Sequence, residues 1–238
     1  MDAVVQVAGL TYAYPDGRAA LMDVSFTVRP GERVALVGPN GSGKSTLLLN
    51  LNGVLRAQAG AVRVGGLALA DDTVGQIRAL VGLTFQNPDD QLFSPLVHQD
   101  VAFGPLHMGL PPAEIEARTA RALADVGMSD YADRVSYHLS IGEKKRVALA
   151  TVLSMGPQIL LLDEPSAGLD PRARRQLIGL LAAFSGRALL VSTHDMRLAR
   201  DLCRRVIVLD GGRVVADGPA ETVLYDADLM ARHGLETP

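Results

Sequence analysis

The sequence is poor in residues that mark several classes of protein. It contains no tryptophan, and aromatic residues make up only 4% of the 238 positions. Proteins that hold single-stranded nucleic acids stack the bases on aromatic side chains, so this composition argues against such a platform. The net charge of −3 argues in the same direction, because a protein that neutralises phosphate backbones is usually basic. We therefore expect no nucleic acid partner.

Cysteine and long apolar runs are equally scarce. The single cysteine, Cys203, can form no internal disulfide, which is typical of a reducing compartment. The first residues lack the basic segment and cleavage site of a signal peptide. No apolar stretch reaches the roughly 18 residues that a membrane-spanning helix needs. We expect a chain that neither crosses a membrane nor enters a secretion route.

Short aliphatic runs alternate with longer stretches of helical periodicity. The runs are apolar at almost every position, which is typical of strands buried on both faces of a parallel sheet. They read RVALVG (33–38), ALVGLTF (79–85), QILLLDE (158–164), RALLVST (187–193) and RVIVLDG (205–211). Between them lie stretches with helical spacing of apolar residues. This alternation predicts an α/β core with a mostly parallel sheet.

Two regions depart from that pattern. The first thirty residues show near-alternating polarity on both sides of a PDG turn, which predicts an N-terminal antiparallel β-subdomain. After residue 86, a polar segment with prolines leads into helices without a convincing strand, which predicts an inserted α-helical subdomain. We expect one domain over residues 1–238, with a core in 1–86 and 157–238 and the helical subdomain in 87–156.

A glycine-rich stretch follows the first buried strand and precedes a helix. Its spacing, G-x-x-x-x-G-K-[ST], is typical in this context of a loop that binds nucleotide phosphates. The glycines let backbone amides and the helix N-terminus point at an anion. Lys44 would reach the β- and γ-phosphates, and the Ser45 hydroxyl would bind Mg²⁺. The candidate binding residues are Gly38, Pro39, Asn40, Gly41, Ser42, Gly43, Lys44, Ser45 and Thr46.

Lysine is rare throughout the chain. Of 23 basic residues, three are lysines: Lys44, Lys144 and Lys145. A chain that otherwise uses arginine has a lysine where a compact ammonium must sit within a phosphate loop, and a guanidinium would not fit there in the same way. Chance retention is the alternative for so few residues.

A second buried strand ends in two carboxylates, Asp163 and Glu164. Such a strand end beside a phosphate loop predicts that Asp163 holds Mg²⁺ and that Glu164 accepts a proton from the attacking water. After the next strand, His194 would hydrogen-bond the γ-phosphate and orient that water. A helix cap or a solvated loop is the alternative for the carboxylates, and a structural role is the alternative for the histidine.

These residues and several others, in their order along the chain, resemble the motifs of ATP-binding-cassette (ABC) ATPases. The motifs are Tyr14, GPNGSGKST (38–46), Gln86, LSIGE (139–143), ILLLDEP (159–165), SAGLD (166–170) and His194. The resemblance covers nearly the whole chain and implies ATP hydrolysis, with ATP and Mg²⁺ as ligands. It also implies that Tyr14 stacks on adenine and that Gln86 senses Mg²⁺ and the attacking water.

The LSIGE stretch opens a helix, and the resemblance implies what its N-terminus contacts. In ABC ATPases two domains bind head to tail with the nucleotide between them, so this helix end would face the γ-phosphate held by the other copy. We place Ser140, Gly142, Glu143 and Asp170 at this shared site. An ordinary capping box between Ser140 and Glu143 is the alternative, and both readings can hold, the box forming in the ATP-free state.

Ile141 departs from the family pattern, which has two adjacent glycines at this point. A β-branched side chain resists positive φ and limits close backbone approach. Activity would suffer if this position must be left-handed or must press against phosphate. In the alternative, which we prefer, only Gly142 carries the requirement.

Residues 84–105 point to one branch of the family. This otherwise polar stretch holds three of the five phenylalanines, Phe85, Phe93 and Phe103. It resembles the corresponding stretch of energy-coupling-factor ATPases, as does EKKRVALA at 143–150. The resemblance implies a groove for a short helix of a membrane subunit, and local packing of the helical subdomain is the alternative.

The resemblance therefore implies an ATPase subunit of an energy-coupling-factor importer, peripheral on the cytoplasmic face of the cell membrane. Its partners would be a second ABC ATPase subunit, in a homodimer or heterodimer, an integral membrane coupling subunit and a substrate-capture subunit. We expect a transition-metal cargo, cobalt or nickel, with a vitamin such as biotin as the alternative. A soluble, non-transport ABC ATPase and a regulatory protein with hydrolysis impaired by Ile141 are competing hypotheses.

Overall fold

The computed structural model describes residues 3–184 and 186–238, within which ten strands and nine α-helices form. The strands are β1 (Val5–Ala13), β2 (Ala19–Val28), β3 (Arg33–Val37), β4 (Ala59–Val64), β5 (Leu67–Ala68), β6 (Val81–Thr84), β7 (Ile159–Asp163), β8 (Ala188–Thr193), β9 (Arg205–Asp210) and β10 (Arg213–Pro219). The helices are α1 (Lys44–Leu51), α2 (Val74–Leu80), α3 (Val97–His107), α4 (Pro112–Asp125), α5 (Ile141–Leu153), α6 (Pro171–Ala183), α7 (Met196–Leu202), α8 (Ala220–Val223) and α9 (Ala227–Arg232).

The main sheet has six strands in the order β10-β9-β3-β8-β7-β6. All neighbours in it pair in parallel except β10, which pairs antiparallel with β9. The expected mostly parallel α/β core is therefore confirmed. Because the carboxyl ends of its parallel strands lie at one edge, the residues that follow β3, β6, β7 and β8 are brought together there.

Successive residues of the central strands enter two different hydrophobic cores. In β7, Ile159 and Leu161 belong to the core shared with the smaller sheet and α1, whereas Leu160 and Leu162 belong to the core shared with the helices on the opposite face. Every residue of β7 is buried. The unbroken apolar runs in the sequence thus reflect a sheet that is covered on both faces.

The smaller sheet is antiparallel, with strand order β2-β1-β4-β5, and confirms the N-terminal β-subdomain. The sequence pattern did not predict β4 and β5, since β4 buries only Val62 and Val64 and carries no strong apolar alternation. The strand expected over 79–85 is wrong at its start. Ala79 and Leu80 end α2, and β6 begins at Val81, because an apolar run suits the end of a buried helix as well as a strand.

The inserted helical region packs α3, α4 and α5 against one another between β6 and β7 in the chain. Val97, Val101, Leu123 and Val147 are fully or almost fully buried and join the core on that face of the main sheet. Within the described part of the chain, no helix is long and apolar enough to cross a membrane.

Candidate nucleotide-binding site

The loop between β3 and α1 has a backbone that requires glycine. Gly41 and Gly43 have φ of +79° and +106°, which side chains other than glycine rarely adopt. A Cβ on Gly43 would also lie 2.5 Å from the carbonyl oxygen of Ala20 and 3.0 Å from Leu21 Cδ2. The loop is therefore a close-packed backbone cradle of the kind that binds anions through its amides.

Two polar side chains inside the loop fit an anionic ligand. The Lys44 Nζ donates to the carbonyl oxygens of Gly38 and Pro39 at 2.8 and 3.0 Å, and burial lowers the pKa of Lys44 below its ordinary value, although Glu164 and Asp163 oppose this shift. Ser42 Oγ is one of four buried side-chain polar atoms without a hydrogen-bond partner among the described residues. An unpartnered hydroxyl beside a buried ammonium suits a phosphate.

The carboxylates expected at the end of β7 lie at the same sheet edge. Asp163 is buried, and its Oδ1 accepts a 2.6 Å hydrogen bond from Ser192 Oγ on the neighbouring β8. Glu164 is also buried, and its Oε2 lies 2.9 Å from His194 Nδ1 and accepts a 3.3 Å bond from the His194 amide. The two residues after β7 and β8 thus form a carboxylate–imidazole pair.

Glu164 has an unusual backbone. Its φ of +45° is left-handed, which costs a residue with a side chain about 1–2 kcal/mol. Such strain persists where neighbouring groups hold the residue in place. The Glu164 amide donates to the carbonyl oxygen of Ser192 at 3.0 Å, and its carbonyl accepts from Lys145 Nζ at 2.8 Å.

A cleft of about 500 Å³ runs beside the glycine-rich loop and brings together residues from all of these elements. It is lined by Tyr14, Arg18, Ala19, Ala20, Asn40, Gly41, Gly43, Lys44, Ser45, Thr46, Gln86, Glu164 and His194. Most of the residues expected from the sequence to meet one nucleotide therefore surround one cavity of a size that suits a ligand.

One side of this cleft is aromatic, as expected, and also carries a residue that the sequence did not reveal. The Tyr14 hydroxyl lies 2.8 Å from Thr46 Oγ1, which fixes the ring beside the start of α1. The guanidinium carbon of Arg18 lies 5.0 Å from the centre of the Tyr14 ring. Arg18 follows the PDG turn, four positions after Tyr14, and that hairpin proximity was the available signal.

Four further candidate residues line a different cavity, of about 280 Å³, at the N-termini of α5 and α6. Ser140, Gly142, Glu143 and Asp170 all belong to it. Asp170 caps α6 by accepting from the amides of Arg172 and Ala173, and these bonds hold its pKa below the ordinary value. Within one chain, the candidates thus divide into two groups.

The N-terminus of α5 is closed by a capping box. The Glu143 carboxylate accepts from the Ser140 amide at 2.8 Å and from the Ser140 hydroxyl at 2.7 Å. These bonds lower the pKa of Glu143, and a hydrogen bond with Glu143 raises the pKa of Tyr131. Ile141 begins the helix with ordinary negative φ, and 42% of its surface is exposed.

Lys145 is a buried polar residue whose position in the fold the sequence did not predict. Its Nζ donates to the carbonyl oxygens of Gln86 at 3.2 Å and Glu164 at 2.8 Å. Burial lowers its pKa to about 8, although the charges of Glu164 and Asp163 oppose this shift. The scarcity of lysine was the signal, since a chain rich in arginine keeps lysine here as well as in the phosphate loop.

A glycine-rich loop between a parallel strand and a helix, with acidic residues at a neighbouring strand end, defines a phosphate-loop nucleotide-binding domain. Comparison with known proteins narrows this class. The sequence profile of the ABC transporter family matches residues 21–167. The chain belongs to the ABC transporter family and is an ATP-binding, ATP-hydrolysing domain of it, which confirms the resemblance found in the sequence.

Individual relatives are similar to this chain over almost its full length. The chain is 47% identical to an energy-coupling factor transporter ATP-binding protein of Methanothermobacter thermautotrophicus, over 99% of this chain and 77% of that protein. The solved structure of CbiO1 of Clostridium perfringens, described as part of the ABC transporter complex CbiONQ, is 37% identical with a TM-score of 0.86, and the match covers 98% and 94% of the two chains. A dimeric ATP-binding cassette bound to ADP and Pi is 28% identical with a TM-score of 0.82, and covers 91% and 98%.

Proposed function

We propose that this chain is the ATP-hydrolysing subunit of an energy-coupling-factor importer that works on the cytoplasmic face of the cell membrane. The observation that carries the hydrolytic part is the Glu164–His194 pair, 2.9 Å apart, at the edge of the cleft that the glycine-rich loop forms. The 47% identity to an energy-coupling factor relative over 99% of the chain supports the transport part.

In the proposed complex, the loop from Gly38 to Gly43 holds the phosphates of ATP through its amides. Lys44 turns from the loop carbonyls toward the β- and γ-phosphates, and the Ser42 hydroxyl gains the partner that it lacks. The Tyr14 ring stacks on adenine. The Arg18 guanidinium, 5.0 Å from the centre of that ring, packs against it.

Oxygen donors near the phosphates suit Mg²⁺. The Ser45 hydroxyl and the Gln86 side-chain amide line the cleft, and the Asp163 carboxylate lies at the adjacent strand end. Hard oxygen ligands of this kind are those that Mg²⁺ takes beside substrate phosphates. When bound, the ion offsets negative charge on the transferring phosphoryl group.

Hydrolysis requires a base and an oriented water. The Glu164 carboxylate accepts a proton as water attacks the γ-phosphorus, and the bond from that phosphorus to the bridging oxygen of ADP breaks, releasing phosphate. His194 holds the Glu164 carboxylate now and would contact the γ-phosphate once ATP is bound. Lys44 stabilises the charge that develops on the departing ADP oxygen.

A second subunit would complete the site. The N-terminus of α5 would present the Ser140 hydroxyl and the Gly142 amide to ATP held by the second copy, with Glu143 and Asp170 beside it. The two candidate groups line separate cavities of one chain, which supports a head-to-tail pair in which each subunit supplies half of each site. The second subunit is an identical chain or a sister ATPase.

The exposed aromatic side of the helical region is the proposed seat for the membrane coupling subunit. Phe93, Phe103 and Leu106 are 65%, 41% and 59% exposed. The Phe93 and Phe103 rings are edge to face at 4.8 Å, and Phe103 lies 4.0 Å from the His107 ring. Apolar surface of this kind suits the apolar face of a short helix.

The hydrolytic assignment is tested by the isosteric change Glu164→Gln. We expect turnover to fall about 10²–10⁴-fold, because the amide cannot accept the proton, while ATP affinity stays within about twofold. Glu116→Gln, on the exposed side of α4, is the matched control and keeps wild-type turnover. Unchanged turnover in Glu164→Gln contradicts the assignment.

The transport assignment is tested by purifying the chain from detergent-solubilised membranes. We expect a hydrophobic coupling subunit and a substrate-capture subunit to accompany it, and the double change Phe93→Ala and Phe103→Ala to release them. Tyr225→Ala, an exposed aromatic elsewhere in the chain, is the control that keeps the complex. A salt-sensitive complex with nucleic acid in place of membrane subunits supports a soluble, non-transport ABC ATPase.

We propose a transition-metal ion, cobalt or nickel, as the cargo, on the sequence resemblance to that branch of the family. A vitamin such as biotin is the competing cargo. ATP-driven uptake of labelled cobalt, nickel or biotin by vesicles that contain the whole complex separates them, with the Glu164→Gln complex as the inactive control.

A further inference from the structure

All three lysines of the chain are almost completely buried, and two of them flank the same pair of carboxylates. Lys44 reaches the loop after β3, and Lys145 reaches the segments after β6 and β7. The side chains of Glu164 and Asp163 act electrostatically on both ammonium groups. The proposed function gives Lys44 a ligand but leaves Lys145 without a role.

The bonds of Lys145 differ from those of an ordinary ion pair. Among the described residues, neighbouring Lys144 pairs with the Asp89 carboxylate at 2.6 Å, whereas Lys145 forms no ion pair and donates to two backbone carbonyls. A buried ammonium is expensive unless its hydrogens are accepted. The two bonds therefore indicate a role in holding the accepting segments in place.

Those two bonds join three parts of the molecule. Lys145 lies on α5, five positions after Ser140, and its acceptors belong to Gln86 and Glu164, which line the nucleotide cleft. The Glu164 backbone is left-handed at φ +45°, and the Lys145 bond holds its carbonyl. A movement of α5 along its axis would therefore pull on both cleft residues.

We propose that Lys145 is a positioning residue that links the two half-sites of one chain: it couples the N-terminal end of α5 to the backbone of Gln86 and Glu164. This inference rests on the proposed function, in which α5 contacts the ATP of the second subunit. Docking of that ATP on α5 then sets the position of Glu164 in the chain's own cleft, so the two ATP molecules are hydrolysed cooperatively.

The test compares Lys145→Met with Lys144→Met in the full-length protein. Methionine keeps the length of the side chain and removes the donors. We expect Lys145→Met to lower kcat for ATP about tenfold and to bring the Hill coefficient close to one, while the Kd for ATP stays within about twofold. Lys144→Met keeps kcat and cooperativity within about twofold of wild type, since its partner Asp89 is half-exposed and lies outside the nucleotide cleft.

Conservative variants separate positioning from general support of the fold. Lys145→Arg keeps donors for both carbonyls in a bulkier group, and we expect its kcat to lie between those of Lys145→Met and wild type. If Lys145→Met does not fold, Lys145→Gln is measured instead, and a fall in kcat of about threefold or more at unchanged Kd supports the inference. The inference is overturned if a folded Met or Gln variant keeps the wild-type kcat. It is also overturned if kcat, ATP affinity and thermal stability all fall in parallel.

A separate outcome addresses the proposed function. If the wild-type chain binds ATP but neither hydrolyses it nor pairs, alone or with its membrane partners, the proposed function fails. If the wild type is active and cooperative and the Lys145 variants match it, only the coupling role of Lys145 fails.

Discussion

Two helices of this chain begin with N-termini that the proposed function directs at phosphate, and they differ in how those ends are closed. The end of α1, after Gly43, has no side-chain cap and no acidic residue in its first turn. The end of α5, after Ser140, is closed by a capping box with Glu143. Both ends carry the positive end of the helix dipole, but only one is open.

The difference indicates an order of events. ATP can bind at α1 without opening a helix cap, because no side chain closes that end. Only Lys44 must turn away from the loop carbonyls. At α5 the Ser140 hydroxyl has one hydrogen, and that hydrogen is donated to Glu143. A phosphate that approaches α5 must take this hydrogen and also meets the negative charge of the carboxylate. We therefore expect ATP to bind the loop first and the second subunit to close afterwards.

The largest expected effect appears when one methyl group is added at each helix end, in Gly43→Ala at α1 and in Gly142→Ala at α5. In Gly43→Ala the new Cβ meets the Ala20 carbonyl oxygen at 2.5 Å in a left-handed backbone, so we expect ATP affinity to fall at least about 100-fold. In Gly142→Ala the nearest atoms, on Ala173 and Leu169, lie at 3.5 and 3.6 Å, and the backbone is helical. We expect this variant to fold and to bind ATP like wild type.

Equilibrium binding of a fluorescent ATP analogue and thermal unfolding check this pair. Equal losses of affinity in the two variants would remove the distinction between an open and a closed helix end. Gly142→Ala is also expected to reduce turnover about threefold or more, because a methyl group stands where the second subunit's phosphate would approach.

The next effect concerns the cap itself. Glu143→Gln keeps an oxygen that accepts from Ser140 but removes the charge, so we expect the second subunit to engage more readily. In a Glu164→Gln background, the ATP concentration for half-maximal dimer formation should fall about fivefold, which corresponds to about 1 kcal/mol near a helix N-terminus. Analytical ultracentrifugation measures it. A requirement for more ATP would mean that Glu143 assists closure.

The sequence predicted the open helix end more completely than the closed one. The glycine spacing, the lysine and the acidic strand end lie in short stretches whose chemistry is local, and the structure brings Lys44, Glu164 and His194 to one cleft. The bonds of Lys145 depend on packing between α5 and two distant segments of the chain. No spacing rule in one sequence carries that information.

The strands also divide into those that the sequence predicted and those that it did not. Strands such as β7 were predicted because both of their faces are buried and every residue before the terminal Asp163 is apolar. Strand β10 was missed because its residues are exposed or half-buried, and β4 because only two of its positions are apolar and buried. Where a strand buries few side chains, pairing with a neighbour determines the strand, whereas composition says little.

The change Ile141→Gly tests whether the position before Gly142 must be a glycine. The Ile141 backbone is helical and its side chain is exposed, which agrees with the preferred alternative that Gly142 alone must be glycine. We expect Ile141→Gly to change turnover less than about threefold and to destabilise the helix by up to about 1 kcal/mol. A rise of tenfold or more in turnover would favour the other alternative, in which isoleucine weakens the shared site.

The smallest expected effect is a pH dependence of stability that only the closed helix end produces. In the folded chain the donors on Ser140 hold the pKa of Glu143 below its ordinary value of 4.5. The ionised cap therefore stabilises the fold above pH 4.5, and this contribution is lost as the pH falls through the lower folded pKa. Glu143→Ala should lower Tm by about 2–4 °C at neutral pH, the effect of losing a cap worth about 1 kcal/mol. The difference from wild type should shrink when unfolding is measured near pH 3.

Ser45→Ala, in the first turn of the uncapped α1, should give a Tm difference that does not vary over this range, because no acidic side chain titrates there. A Glu143→Ala difference that stayed constant with pH would show that the uncharged contacts of the cap, and not its carboxylate, distinguish the two helix ends.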